Sequence, residues 1–397
     1  MNNFEYYNPV RVIFGAGELK RIGKEAKAFG SRVALVSYKD LNVLAPLIDS
    51  IQALLEADGA IVFRFCEAEP NPEIETIKSG VEFCKHNRVE LIIGIGGGSA
   101  MDAAKAIAAG VFYGGDLWNM VYSRHDHVEA TPPTKALPTI MVPTLPATGS
   151  EMNQCAVLSN RKLAEKSYIW GTCLYPKVAI IDPSLTLSLP AQQTASAAAD
   201  TISHVLEIYL NGEDDSDLQH YFQEGVMRTV IDNIEKVLKD PTDISARSHL
   251  QWAATCAING WASPGDAWTP IHQIGHVLTS RHKVSHGDSL AILMPAWMKH
   301  RWRTRPDQYF RFAKNVMQID ITGKTKEAVI LEGIAAFKEF LYRIGTPTSL
   351  QDMNITSEDF SPIITDVVKV SFNAQGVLFA NPPATKEDIK QVLELAY

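Results

Sequence analysis

The chain has 397 residues, of which 46% are apolar and 21% charged, with a formal net charge of −8. These values describe an ordinary soluble globular protein, too long for one compact core and better divided into two domains. Acidic and basic residues are interspersed without a basic stripe, which argues against nucleic acid and anionic membrane as partners, and no apolar run reaches the ~18 residues needed to span a bilayer.

The opening MNNFEYYNPVRVIFG has neither an apolar core region nor a small-residue cleavage site, so no signal peptide is expected and the location is read as cytoplasmic. Five cysteines, Cys66, Cys84, Cys155, Cys173 and Cys256, are widely spread without a C-x-x-C pair and read as reduced thiols.

In chain order, RVALVS (32–37), AIVFRF (60–65), ELIIGIGGG (90–98), TIMVPT (139–144) and VAIIDP (178–183) read as strands. Between them, LAPLIDSIQALLEA (44–57) and PEIETIKSGVEFCKHN (72–87) carry apolar residues at three- and four-residue spacing, as amphipathic helices do. Strand–helix alternation with continuous apolar strands predicts an α/β domain with a parallel sheet covered on both faces. The proline-broken polar stretch 122–136 reads as an exposed excursion. After residue 187 the texture changes: 191–210, 218–240, 246–260 and 327–345 all read as helices and no strand is evident. The boundary is therefore placed at 187/188, with an α/β domain over 1–187 and an all-α domain over 188–397.

Two loops of the first domain suggest a phosphate-bearing ligand. A strand runs into Gly96-Gly97-Gly98-Ser99 and continues as an alanine-rich helix. Glycines allow close backbone approach, and the new helix offers free N–H groups and the positive end of its dipole. Asp102, in the first turn, is either a helix-start carboxylate or a cofactor contact. PTLPATGSEMN (143–153) is a second loop at a strand end, rich in hydroxyls.

The second domain carries metal-type side chains. Asp200 and His204 stand at i and i+4, on one helix face. Downstream, HQIGHVLTSRHKVSH (272–286) holds four histidines. Spacing allows His272/His276, His282/His286 or His272/His286 as the pair that completes a site. Nitrogen and oxygen donors from two segments, with no cysteine nearby, suit a catalytic rather than a structural ion.

With these motifs in this order, EPNPEIET (69–76), GGGSAMDAAK (96–105), PTLPATGSE (143–151), DTISHVLEIY (200–209) and the histidine segment, the chain resembles the iron-containing (group III) alcohol dehydrogenases, in the branch of NADPH-dependent aldehyde reductases and butanol dehydrogenases. The resemblance implies a Rossmann-like dinucleotide-binding domain, a helical metal domain in the dehydroquinate synthase-like arrangement, and an active site in the cleft between them. It implies a divalent ion, Fe2+ or Zn2+, held by Asp200, His204, His272 and His286. His276 then falls near the nicotinamide and substrate as a proton relay, and His282 lines the pocket or backs it.

It further implies that Gly97, Gly98, Ser99 and Asp102 surround the pyrophosphate, and that Asn71 and Thr144 approach the ribose and diphosphate. Thr148, Asn153 and Lys166 fall toward the nicotinamide half. After the first strand, Ser37-Tyr38-Lys39-Asp40 matches neither the acidic pattern of NAD-preferring relatives nor the glycine-serine run of the reductase branch. Tyr38 stands where the acid would be, Ser37 and Lys39 are taken as cofactor contacts, and Lys39 is read as the partner of a 2′-phosphate, which favours NADP(H) over NAD(H), with Asp40 pulling the other way. The implied reaction interconverts aldehydes and primary alcohols by hydride transfer, in a homodimer. The rival within the superfamily is a polyol or hydroxy-acid dehydrogenase. Trp252, Trp261, Trp268 and Trp297 suggest a bulky apolar pocket, with core packing as the plainer reading. A metal-binding regulatory or structural protein without catalysis is the rival from another class, disfavoured by the intact donor set and both loops.

Overall fold

The structure, a computed structural model, describes residues 3–122, 128–163, 165–212, 216–263 and 268–397. Residues 123–127 of the expected excursion lie outside the described residues. The chain divides into two compact units, Tyr7–Leu189 and Pro190–Tyr397, the second including the N-terminal residues as far as Tyr6. Tyr6 belongs there because its ring packs on Trp261, with centroids 4.8 Å apart.

The first unit alternates β1 (Arg11–Phe14), α1 (Ile22–Ala26), β2 (Arg32–Tyr38), α2 (Ala45–Ala57), β3 (Ile61–Ala68), α3 (Ile74–His86), β4 (Leu91–Gly96), α4 (Gly98–Gly110) and β5 (Thr139–Pro143), followed by β6 (Cys155–Asn160), β7 (Glu165–Trp170) and β8 (Val178–Ile181). Six strands form a parallel sheet in the order β1-β8-β5-β4-β2-β3. Every residue of β4, β5 and β8 is buried, as continuous apolar strands covered on both faces require. One sheet face packs on α1 and α2, where Ile22, Ile48, Ile51 and Leu55 are fully buried. The other packs on α3 and α4 through Ile77, Val81, Ala103 and Ile107.

Strand β3 lies outside β2, and the chain then returns past β2 to lay β4 on its other side. The order reverses between β2 and β4, so their carboxyl ends, Tyr38 and Gly96, frame the switch point where open α/β sheets take ligands. The antiparallel β6–β7 ribbon was not anticipated from the sequence. Its polar half (Ser159, Asn160, Glu165, Lys166) masks the strand pattern, and only Ala156, Leu158 and Ile169 enter the core.

The second unit contains α5 (Ala191–Asn211), α6 (Asp217–Lys239), α7 (Ile244–Ala257), α8 (Pro270–His282), α9 (His286–Arg301), α10 (Pro306–Arg311), α11 (Lys326–Arg343), α12 (Phe360–Ser371) and α13 (Lys386–Ala396). Among the described residues it holds no strand, only isolated bridges linking Phe372, Leu378 and Ala384. Helix α5 is buried nearly all round from Ala197 onward, which its small residues permit and which marks it as the central helix. Helix α8 opens on Pro270, preset for a first turn. It ends at Lys283, whose φ of 56° is left-handed. Ser285 then caps α9 by accepting the Asp288 N–H. That reversal folds the two histidine-bearing helices onto each other and onto α5.

Candidate metal centre and nucleotide turn

In the helical unit, Asp200, His204 and His272 bring one donor atom each to within 4.8 Å of one another, all buried. The His286 Nε2 comes to 3.8 Å from Asp200 Oδ1, as does the His272 Nε2. The His204 and His272 rings stand 4.4 Å apart, and those of His272 and His286 5.1 Å. Three helices thus converge on one carboxylate oxygen: α5 supplies Asp200 and His204 from one face, α8 supplies His272, and the first residue of α9 supplies His286. Gly287 allows that last approach, because a Cβ there would collide with the Ser196 carbonyl of α5.

The ring tautomers are set locally. His204 Nδ1 lies 2.8 Å from the Asp200 carbonyl oxygen, an acceptor, so Nδ1 carries the proton and Nε2 keeps its lone pair. His272 Nδ1 meets the carboxylate of Glu207 with the same consequence. The freed Nε2 of His272 is buried and has no hydrogen-bond partner among the described residues. A buried ring nitrogen left bare beside a carboxylate, with two more imidazoles around it, is what a divalent ion would satisfy. Burial pushes His204 down to about 4, so the ring stays neutral as a donor must. Burial acts the same way on His272, but the charges of Glu207 and Asp200 outweigh it and hold that ring up at about 9.

The inner histidines separate. His276 stacks on His286 at 5.3 Å and sits 6.2 Å from His272. His282 does not join them. It is the last residue of α8 and makes no ring contact with the other three among the described residues. The tryptophans also divide: Trp297 is core under the Arg301 guanidinium, Trp252 and Trp261 are about half exposed, and Trp268 stacks on Phe379. Core packing accounts for Trp297 alone. Glu207, which sequence reasoning passed over, lies at i+3 from His204 and i+7 from Asp200. That same-face spacing was the available signal.

In the α/β unit, Gly97 and Gly98 open α4 at the switch point. The Asn71 N–H donates to Ser99 Oγ at 3.2 Å, and Asn71 itself takes a left-handed φ of 60°, which asparagine tolerates. The Thr144 N–H donates to the Gly96 carbonyl at 2.9 Å. Thr148 packs so tightly on Gly98 that a Cβ there would strike its hydroxyl. Asp102 accepts from Ser150 Oγ at 2.6 Å and from the Val157 N–H at 3.0 Å. Asn153 accepts from Lys105 Nζ at 2.9 Å and donates to the Gly149 carbonyl at 3.2 Å. Asp102 and Asn153 thereby brace the second loop and the hairpin against α4. Lys105, fully buried, completes this brace through the Cys155 carbonyl at 2.7 Å. Burial lowers its amine and raises the Asp102 carboxyl, each opposed by the other's charge. Lys166, on β7 opposite Ser159, adds a positive charge felt by Asp102.

At the end of β2 the roles differ from expectation. Ser37 is fully buried and its hydroxyl donates to the Ile95 carbonyl at 2.9 Å, inside the sheet, so its expected cofactor contact is corrected. Tyr38 occupies the position instead. Its ring lies against Gly96 and its hydroxyl faces the N–H groups of Gly97 and Ala100, which oppose the rise to about 12 that burial causes. Lys39 is exposed and paired with Glu67 at 3.6 Å.

Comparison with known proteins places this geometry. The family model for iron-containing alcohol dehydrogenases matches residues 9–183, and the C-terminal model of the same family matches 194–397. The chain is 35% identical over 397 residues to the probable NADH-dependent butanol dehydrogenase 1 of Bacillus subtilis, covering 99% of each chain. It is 31% identical to the NADPH-dependent aldehyde reductase of Escherichia coli, covering 100% of both. The crystal structure of NADH-dependent butanol dehydrogenase A from Thermotoga maritima superposes with a TM-score of 0.92 at 36% identity, covering 100% of this chain and 99% of that one. With both halves matched and full-length relatives above 30% identity, the chain belongs to the iron-containing alcohol dehydrogenase family.

Proposed function

We propose that Asp200, His204, His272 and His286 hold the divalent ion of this oxidoreductase, iron or zinc, and that His276 moves the proton in its reaction. As a member of its family the chain is an enzyme that interconverts aldehydes and alcohols with a nicotinamide dinucleotide and a divalent metal. The observation that carries the residue assignment is the buried donor cluster of Asp200, His204 and His272, with the Nε2 atoms of His272 and His286 both 3.8 Å from Asp200 Oδ1.

When bound, the ion supplies Lewis-acid polarisation of a carbonyl oxygen and the dinucleotide supplies the hydride. The protein does the rest. Asp200 contributes one negative charge, the neutral ring of His204 offers a nitrogen lone pair oriented by the Asp200 carbonyl, and His272, oriented by Glu207, offers its own once an ion displaces the second proton that Glu207 and Asp200 favour on it. His276, stacked on His286, delivers a proton to the product oxygen in reduction and removes it in oxidation, a task suited to an imidazole at neutral pH. The N–H groups at the start of α4, with Ser99, Asn71 and Thr144, receive the ribose and diphosphate of the dinucleotide, and Thr148 lies toward the nicotinamide half, with Asp102, Lys105 and Asn153 as their brace and Lys166 adding charge.

For the cofactor, Lys39 favours NADP(H) over NAD(H), and its pairing with Glu67 keeps the margin small. The expected homodimer and cytoplasmic location belong to the same reading. Among the described residues no helix is long and apolar enough to cross a membrane.

The test is nicotinamide absorbance with a panel of aliphatic and aromatic aldehydes, polyols and hydroxy acids, run with NADH and NADPH in parallel. Reduction of aldehydes is expected, with Lys39→Ala lowering kcat/KM for NADPH about tenfold and for NADH little, as loss of one charge-assisted contact to a phosphate implies. Full activity after complete metal stripping would end the assignment of Asp200, His204, His272 and His286.

A further inference from the structure

Glu207 is fully buried in α5. Three donors converge on its carboxylate: Oε2 accepts the N–H of Ile271 at 2.6 Å and of His272 at 3.2 Å, while Oε1 meets His272 Nδ1. We propose that Glu207 is the positioning residue of the metal centre, holding His272 in the ligand tautomer and supplying the second negative charge that balances a divalent ion. The proposal rests on the four-residue site put forward above.

A carboxylate has no hydrogen to donate, so its contact with His272 places the ring proton on Nδ1 and leaves Nε2 for the ion. The same side chain takes up N–H groups from the first turn of α8, which have no partner inside the helix. Ring orientation and helix position are therefore set by one group. With the rings unprotonated on the ion, Asp200 and Glu207 are the two negative charges of this buried cluster, so a doubly charged ion leaves the centre neutral, the cheapest state for a buried site.

Glutamine at this position cannot serve all three donors. If its one acceptor oxygen takes the α8 N–H groups, its NH2 faces Nδ1 and drives the ring proton to Nε2, where the lone pair is needed. If the oxygen takes Nδ1, the NH2 opposes the backbone donors.

The experiment titrates metal-free wild type, Glu207→Gln, Glu207→Asp and Asp200→Ala with Zn2+ and Co2+ against a competing chelator. The visible absorption of the Co2+ form is a second readout, and melting of the metal-free proteins a third. Glu207→Gln is expected to bind about 10–100-fold more weakly, with a changed Co2+ spectrum. Glu207→Asp, which keeps the charge on a shorter arm, is expected to lose less. A role confined to holding α8 would lower the melting temperature but leave affinity and spectrum as in wild type, and that result from either folded variant overturns the proposal. If wild type and Asp200→Ala alike bind neither ion, the four-residue site falls and this proposal with it. If wild type binds, Asp200→Ala does not, and the Glu207 variants match wild type, this proposal alone falls.

Discussion

His272, His276 and His286 illustrate how little residue type says about role. All three rings lie within one stacked cluster, yet only His272 and His286 point a nitrogen at Asp200 Oδ1, at 3.8 Å each. His272→Ala and His286→Ala are therefore expected to lose bound metal, measured by elemental analysis after anaerobic purification. His276→Ala should keep its metal and lose about 10²–10⁴-fold in kcat, the usual worth of a positioned proton donor. Metal loss in His276→Ala with metal retained in His286→Ala would mean the pair is wrongly assigned. At this scale the Asp200/His204 pair was legible, because an i, i+4 spacing is a local property of a helix. The separation of His282 from the other three rings was not, because it depends on where α8 ends.

Helix α9 shows how an element places a functional group. Its first residue is His286 and its second is Gly287, packed against the Ser196 carbonyl of α5. Gly287→Ala must push the two helices apart, at a cost of about 1–3 kcal/mol as overpacking usually carries. It should also lower metal occupancy, since His286 moves with the helix end. Gly225→Ala is the control: that exposed glycine in α6 has open space around its would-be Cβ and should stabilise by about 0.5–1 kcal/mol. Urea unfolding and metal content of both variants check the pair, and equal destabilisation would remove the special role of Gly287. Strands β2, β3, β4, β5 and β8 of the parallel sheet and helices α5, α6, α7 and α11 of the second unit were legible from apolar periodicity, whereas β1, four residues long, and the shorter helices α10, α12 and α13 were not. The β6–β7 ribbon was not, because half of it is polar and its burial comes from packing on α3 and α4.

At the scale of the whole molecule, the two proposed sites fall in different units: the proposed metal donors in Pro190–Tyr397, the glycine turn proposed for the nucleotide in Tyr7–Leu189. An ion that binds only the folded helical unit stabilises it by mass action, by about 2.7 kcal/mol at a hundredfold excess over Kd. Chelation should therefore lower hydrogen-exchange protection chiefly in α5, α8 and α9 and leave the parallel sheet unchanged. Uniform loss across both units would argue against a centre confined to the second. The sequence by itself determined the fold class, the two-part organisation and the family, because apolar periods and motif order are written along the chain. It also determined that Asp200 and His204 share a helix face. Only the tertiary structure decided which downstream imidazoles meet Asp200, that Tyr38 rather than Ser37 faces the glycine turn, and that Glu207 reaches His272. Those contacts join residues about 60 to 85 positions apart, and no local spacing encodes the pairing of β2 with β4 or the packing of α5, α8 and α9 that brings them together.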